Sequence, residues 1–199
     1  MDKLFKYVNP KTVLDIGAHI GDFTKQVYYN FPTCEVMMVE ANPNCESYLR
    51  LLGKPYEIIA LSDKETHKLF YIEKGNSIGT GASLYKENTV WYQEGKYDTL
   101  NIPTYTLDSR NYFENKKIDL LKLDVQGSEL DILNGGPKTL ERTQFALIET
   151  SLVEYNQGAP MIDKIIDKMK EYKFNITDIL EYHLHNGIIF QLDMLFSKE

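Results

Sequence analysis

The chain is poor in cysteine, with two in 199 residues, Cys34 and Cys45. Neither belongs to a CxxC pair or a set of metal-ligand spacings, which excludes a disulfide scaffold and points to buried, reduced thiols of a cytosolic protein. No apolar run approaches the roughly 20 residues that a membrane-spanning helix needs. The start, Met1-Asp-Lys-Leu-Phe-Lys-Tyr-Val8, has neither a long apolar core nor a small-residue cleavage site, so it does not read as a signal peptide and a cytoplasmic location is expected. Basic charge is in deficit, with 22 Lys and Arg against 29 Asp and Glu for a formal charge of −7. A nucleic acid held through its phosphates is therefore disfavoured, because no basic excess is present to replace counterions. Repeats, low-complexity tracts and Pro/Ser linkers are missing as well, and 43% hydrophobic residues are enough for one globular domain with a real core. One residue type is in excess, namely tyrosine, with 14 copies.

Short β-rich runs alternate with amphipathic segments, the mark of a parallel sheet covered by helices. The first strand is expected at Thr12 to Ile16 and a helix at Ile20 to Phe31, with Ile20, Phe23, Val27 and Phe31 on one stripe. A second strand, Glu35 to Val39, leads to Asn42-Pro43, an N-cap and N1 pair for a helix through Leu52, and Tyr56 to Ala60 reads as the third strand. From Lys68 to Leu107 the rhythm breaks into β-like pieces around a glycine-rich aromatic stretch, which reads as an insertion. It resumes with a strand at Ile118 to Leu123, a helix at Ser128 to Leu133 stopped by Gly135-Gly136-Pro137, and a strand at Phe145 to Ile148. A helix from Pro160 to Tyr172 precedes two last strands, Asn175 to Leu180 and Ile188 to Phe196, in a hairpin-like ending.

The sharpest local feature is Val13-Leu-Asp-Ile-Gly-Ala-His-Ile-Gly21, a buried strand running into glycines that open a helix. Such a turn lets backbone amides approach a polar ligand closely. The spacing is Gly17-x-x-x-Gly21, and the GxGxxG of dinucleotide folds is absent. Asp15 would add a carboxylate to the same crevice, repulsive to a pyrophosphate and favourable to a cationic or zwitterionic ligand. Glu40, at the end of the second strand, is placed to accept both hydroxyls of a ribose. Ser62 and Asp63 fall where an adenine edge would lie, and Asp63 reads either as an acceptor for the exocyclic amine or as an ordinary strand-ending turn residue. Two rivals follow. A nicotinamide-dependent oxidoreductase would require GxGxxG, and a non-catalytic nucleoside-binding module would be expected to lose Asp15, Glu40, Asp124 and Glu129.

These residues, together with Ala60-Leu-Ser-Asp63, Thr106-Leu-Asp108, Ile118-Asp-Leu-Leu-Lys-Leu-Asp-Val-Gln-Gly-Ser-Glu129, Glu149 and Asp193-Met-Leu-Phe196, resemble the FkbM-type methyltransferases over residues 12–197. The resemblance implies an α/β, Rossmann-like class I methyltransferase sheet of seven strands, order 3-2-1-4-5-7-6 with the seventh antiparallel, and S-adenosyl-L-methionine as cofactor. The length of 199 residues fits a single domain over residues 1–199, and the insertion at about 68–107 is expected to form a substrate lid. Asp15, Gly17 and Gly21, with Ala18 and His19 beside them, would hold the methionine end of the cofactor. Glu40 and Ala41 would hold the ribose, Ser62 or Asp63 the adenine region, and Asp124 would sit near the reacting methyl. His19 stands where the family commonly has asparagine, and Gln126 where glutamate is common.

Methyl transfer to an alcohol needs alignment and a proton acceptor. Asp124, Glu129 and His183 are the candidate catalytic residues. Glu129 reads equally as a carboxylate favoured at a helix N-terminus, and His183 with His185 as a surface pair on alternate strand positions. Asp124 and Glu149 are strand-end carboxylates of the kind that hold a divalent cation, but without a clear third ligand the expectation is a site without metal. Tyr85, Trp91, Tyr92, Tyr97 and Tyr105, between Gly75 and Tyr105, suggest a pocket for a sugar, glycan or other small hydroxylated acceptor, or else a satellite core under the insertion.

Overall fold

The computed structural model describes residues 3–185 and 187–198, the side chains of Asn115 and His185 excepted. The apolar run Thr12–Ile16 forms β1, buried at every position, as a strand covered on both faces must be. Gly21, in the left-handed region at φ 81°, opens α1 (Asp22–Asn30). There follow β2 (Glu35–Glu40), α2 (Glu46–Leu51), β3 (Tyr56–Ile58), β4 (Ala60–Ser62), β5 (Thr66–Glu73) and β6 (Tyr97–Thr106). Then come α3 (Leu107–Arg110), β7 (Ile118–Leu123), α4 (Glu129–Asn134), α5 (Pro137–Glu141), β8 (Thr143–Ser151), α6 (Ile162–Glu171), β9 (Phe174–His185) and β10 (Ile188–Lys198).

Seven strands make one sheet in the order β3-β2-β1-β7-β8-β10-β9, and β4-β6-β5 make a second. The chain numbering departs from 3-2-1-4-5-7-6 because the second sheet's three strands intervene; within the large sheet the seven strands keep those places. β10 runs antiparallel to both neighbours. Parity along the strands divides the core. Leu14, Ile16, Leu121, Leu123 and Ile148 face one apolar layer with Ile165 and Met169 of α6, and Val13, Leu120 and Leu147 face the other with Phe23 and Val27 of α1.

Three local expectations are corrected. The run from Tyr56 to Ala60 is two strands in different sheets, because the chain turns at Ile59, whose N–H donates to the Glu40 carbonyl at 2.9 Å. Gly135-Gly136-Pro137 ends α4 but also starts α5, with Pro137 in its first turn. The Asp108 carboxylate caps α5 from a distance, accepting from the Lys138 and Thr139 amides at 2.9 Å each. His183 lies inside β9, which reaches His185 rather than stopping at Leu180.

Residues 74–96, between β5 and β6, cross the carboxyl edge of the large sheet. Asn42 donates to the Ser77 carbonyl at 2.8 Å and His19 Nε2 to the Ile78 carbonyl at 2.7 Å. Ser83 Oγ donates to the Val125 and Gln126 carbonyls at 3.1 and 2.8 Å, and Glu87 pairs with Asn156 beyond β8. Among the described residues no helix is long and apolar enough to cross a membrane, and Cys34 and Cys45 are buried free thiols.

Candidate active site

The carboxyl ends of β1, β2, β7 and β8 open on a cavity of about 470 Å³, within the range of small-molecule sites. The sheet order gives it two unlike ends. On the β2 side its wall is apolar, with Val39, Ile59, Ala60, Leu61, Phe70 and Ile132. Beyond β7 it is polar and aromatic, with Glu149, Tyr155, His183, Phe190 and Gln191. Gly17, Ala18, His19, Glu40, Ala41 and Asp124 line the part between.

Gly17 is at φ +78°, and a Cβ there would lie 1.7 Å from the Asp124 carbonyl oxygen. Only glycine lets β1 turn this close to β7. The amides of Gly17 and Ala18 do not face a ligand as the glycine turn suggested, since both donate to the Val39 carbonyl at 2.9 and 3.1 Å. His19 is at φ 51°, a region that Asn and His enter more readily than most side chains. Its N–H donates to Glu40 Oε2 at 2.7 Å, and the Asn42 N–H donates to Oε1 at 2.7 Å. Each oxygen keeps a further lone pair for a ligand hydroxyl. Burial raises the Glu40 pKa, and the two amides act against that rise.

Asp15 does not reach the cavity. By strand parity it shares the α1 face with Val13, is fully buried, accepts from Thr24 Oγ1 at 2.6 Å and lies 3.5 Å from Lys122 Nζ. Burial disfavours the Lys122 ammonium, but Asp124 and Asp15 outweigh burial and raise its pKa. Lys122 thus ties β1 to Asp124, 3.3 Å away. Gly21 is also away from the cavity, and its missing Cβ makes room for Leu52 of the α2 turn. Ser62 and Asp63 belong to a separate cluster: Lys68 Nζ donates to Ser62 Oγ at 2.7 Å and to Asp131 at 2.8 Å, with Asp63 at 3.5 Å. The apolar wall of the cavity includes instead Ile59, Ala60 and Leu61, just before them.

Of the candidate bases, Asp124 and His183 line the cavity and Glu129 does not. Glu129 accepts from the Val125 and Gly127 amides at 3.0 Å each and holds the turn after β7 in shape. Burial pushes its carboxyl up to about 7 from the usual 4.5, against the pull of those amides. A carboxyl with a raised folded pKa stabilises the fold below its unfolded pKa and loses that contribution as pH rises through the folded one. Wild-type stability should therefore fall by on the order of 1–3 kcal/mol between about pH 4.5 and 7. Urea unfolding across that window should show the fall, and Glu129→Gln should flatten it; equal slopes would show that Glu129 ionises in the fold as in water.

Asp124 is the open carboxylate, with its side chain 41% exposed. Gln126, at φ 57°, donates from Nε2 to Asp124 Oδ1 at 3.2 Å and to Glu149 Oε2 at 2.5 Å. A glutamate there would set three carboxylates together, so the amide at this position joins two acids rather than adding one. None of Tyr85, Trp91, Tyr92, Tyr97 or Tyr105 lines the cavity. Tyr92 is buried and stacks with Tyr97, which meets Tyr71 edge-on, and Tyr85 donates to Asp131 at 3.1 Å, so these rings pack the crossing segment onto its neighbours, while Trp91 is exposed. The aromatic surface of the cavity comes from Phe23, Phe70, Tyr155 and Phe190, all outside that segment.

The residues suit S-adenosylmethionine: the apolar wall for adenine, a doubly amide-braced carboxylate for ribose, and acids around a sulfonium. A family model described as the methyltransferase FkbM domain matches residues 15–176. The 2-O-methyltransferase NoeI of Sinorhizobium fredii is 26% identical over 176 residues, covering 81% of this chain and 72% of that protein. The crystal structure of methyltransferase FkbM from Methylobacillus flagellatus KT superposes with a TM-score of 0.57 at 12% identity, over 94% of this chain and 43% of that one. Magnesium protoporphyrin IX methyltransferase from Synechocystis PCC 6803, solved with bound SAM, gives 0.55 at 8% identity over 99% of this chain and 74% of that one. M. capricolum TrmK, solved with S-adenosyl-homocysteine, gives 0.54 at 11% identity, over 100% of this chain and 67% of that one. The strand order, the glycine turn packed on Asp124 and the family match agree: this chain belongs to the FkbM methyltransferase family and is an S-adenosylmethionine-dependent methyltransferase.

Proposed function

We propose that the enzyme methylates a hydroxyl oxygen of a sugar or glycan. The observation that carries this reading is the division of one cavity into an apolar end beside Glu40 and an end of His183, Glu149, Gln191, Tyr155 and Phe190, with Asp124 between them. An aromatic pair, Tyr155 and Phe190 at 4.9 Å between ring centres, beside amide and carboxylate groups suits a hydroxylated ring. A relative named as a 2-O-methyltransferase supports an oxygen acceptor, and the net charge of −7 favours a small acceptor over a nucleic acid.

Bound S-adenosylmethionine supplies a sulfonium methyl open to in-line displacement by an acceptor oxygen. Glu40 fixes the ribose, and the Ile59 to Leu61 wall takes the adenine. Asp124, held by Lys122 and Gln126, receives the acceptor proton. Residues 74–96 act as the lid, keeping water from the methyl while the acceptor enters from the Tyr155 side.

Calorimetric titration with S-adenosylhomocysteine should show binding that Glu40→Ala weakens by about 1–3 kcal/mol. Incubation with S-adenosylmethionine and a panel of glycosides should give a methyl ether by mass spectrometry. Tight cofactor binding with no transfer to any sugar would overturn the acceptor, and unchanged affinity in Glu40→Ala would overturn the ribose contact.

A further inference from the structure

Asp124 and Glu149 lacked a third partner in the sequence; the hairpin supplies two others. Glu149 of β8, His183 of β9 and Asp193 of β10 are, among the described residues, the group whose donor atoms gather within 4.8 Å of one another. The register makes this so, setting Asp193 opposite Glu149 and Gln191 opposite His183. Two further observations point to a ligand. His183 Nε2 is buried without a hydrogen-bond partner, between Asp193 Oδ1 at 3.6 Å and Glu149 Oε1 at 4.0 Å. Those separations are too long for hydrogen bonds. They match the spacing of neighbouring donors around a first-row cation, where bonds of about 2.0–2.2 Å set ligand atoms roughly 3–4 Å apart. The amides of Gln126 and Gln191 both donate to Glu149 Oε2, which turns Oε1 toward His183 as outer partners of a metal ligand do.

We propose that Glu149, His183 and Asp193 bind a divalent first-row cation of the Mn²⁺ or Zn²⁺ kind. One imidazole and two carboxylates suit such ions better than Ca²⁺, which prefers an all-oxygen shell. Glu149 and His183 line the cavity, so the open coordination positions face its polar end. There the ion holds and acidifies an acceptor hydroxyl; this last role rests on the acceptor reading above, whereas the ion site does not. Asp124 stays outside the ligand set and remains available for the proton.

The test uses the full chain, stripped with a chelator and titrated calorimetrically with Mn²⁺ and with Zn²⁺, and followed by visible absorption with Co²⁺. One ion per chain is expected, with affinity reduced about tenfold or more in His183→Gln and in Asp193→Asn, and with the Co²⁺ band altered in the histidine variant. No uptake by the wild-type chain, or equal affinity in both variants, overturns the site. S-adenosylhomocysteine binding on the same samples reports folding and separates the two readings. Cofactor binding without ion uptake removes the cation alone, and loss of cofactor binding by the wild-type chain removes the cofactor assignment. If one variant fails to bind cofactor, the other carries the comparison.

Discussion

Gly17→Ala is expected to abolish measurable S-adenosylhomocysteine binding and to lower the melting temperature by about 10 °C, an effect of several kcal/mol in a chain of this size. Two costs combine. A side chain at φ +78° is strained by on the order of 1–3 kcal/mol. The added Cβ also meets backbone, the Asp124 carbonyl at 1.7 Å, which no rotamer change can relieve. Relief requires β1 to part from β7, yet Asp124 N–H donates to the Ile16 carbonyl at 3.2 Å and Lys122 holds the Gly17 carbonyl at 3.2 Å. Any shift therefore moves Asp124 together with the Ala18 to Glu40 part of the cavity. Differential scanning calorimetry with and without ligand checks both effects. Equal melting temperatures and equal affinities would show that the close approach is not needed.

The sheet was legible because its signal is local: buried β-rich runs alternating with amphipathic helices record strand and helix periods directly. Parity was legible too, and Asp15 shows the cost of setting it aside. Its place at a strand end suggested the crevice, while its even spacing from Val13 puts it under α1 beside Thr24. Ser62 and Asp63 were misread for a different reason. Their partner Lys68 lies on the small sheet and Asp131 on α4, and nothing within a short window tells a polar residue which of two acids and one lysine it will join. The aromatic residues between Gly75 and Tyr105 were visible as a composition, but a composition does not say which way a ring faces: Tyr92 and Tyr97 stack on each other, and Trp91 is exposed. The grouping of Glu149, His183 and Asp193 depends on hairpin register, and the irregularities in the β9 and β10 pairing make that register unreadable from alternation alone.

Asp124→Asn is expected to reduce kcat by about 10²- to 10⁴-fold, the usual worth of a positioned proton acceptor, while cofactor affinity changes by less than about tenfold. The amide has the carboxylate's shape, and its oxygen still accepts from Lys122 at the place where Oδ2 lies 3.3 Å away. What it loses is the ability to take a proton from the acceptor. Glu129→Gln supplies the contrast, because Glu129 is turned to the Val125 and Gly127 amides and does not line the cavity. If both carboxylates were merely structural, the two variants would lose similar activity through folding. If Asp124 receives the proton, Asp124→Asn falls far below Glu129→Gln in single-turnover rate at saturating cofactor, with both variants binding S-adenosylhomocysteine. A rate for Asp124→Asn within a few-fold of wild type would move the proton to the His183 end of the cavity, where the imidazole stands 3.6 Å from Asp193.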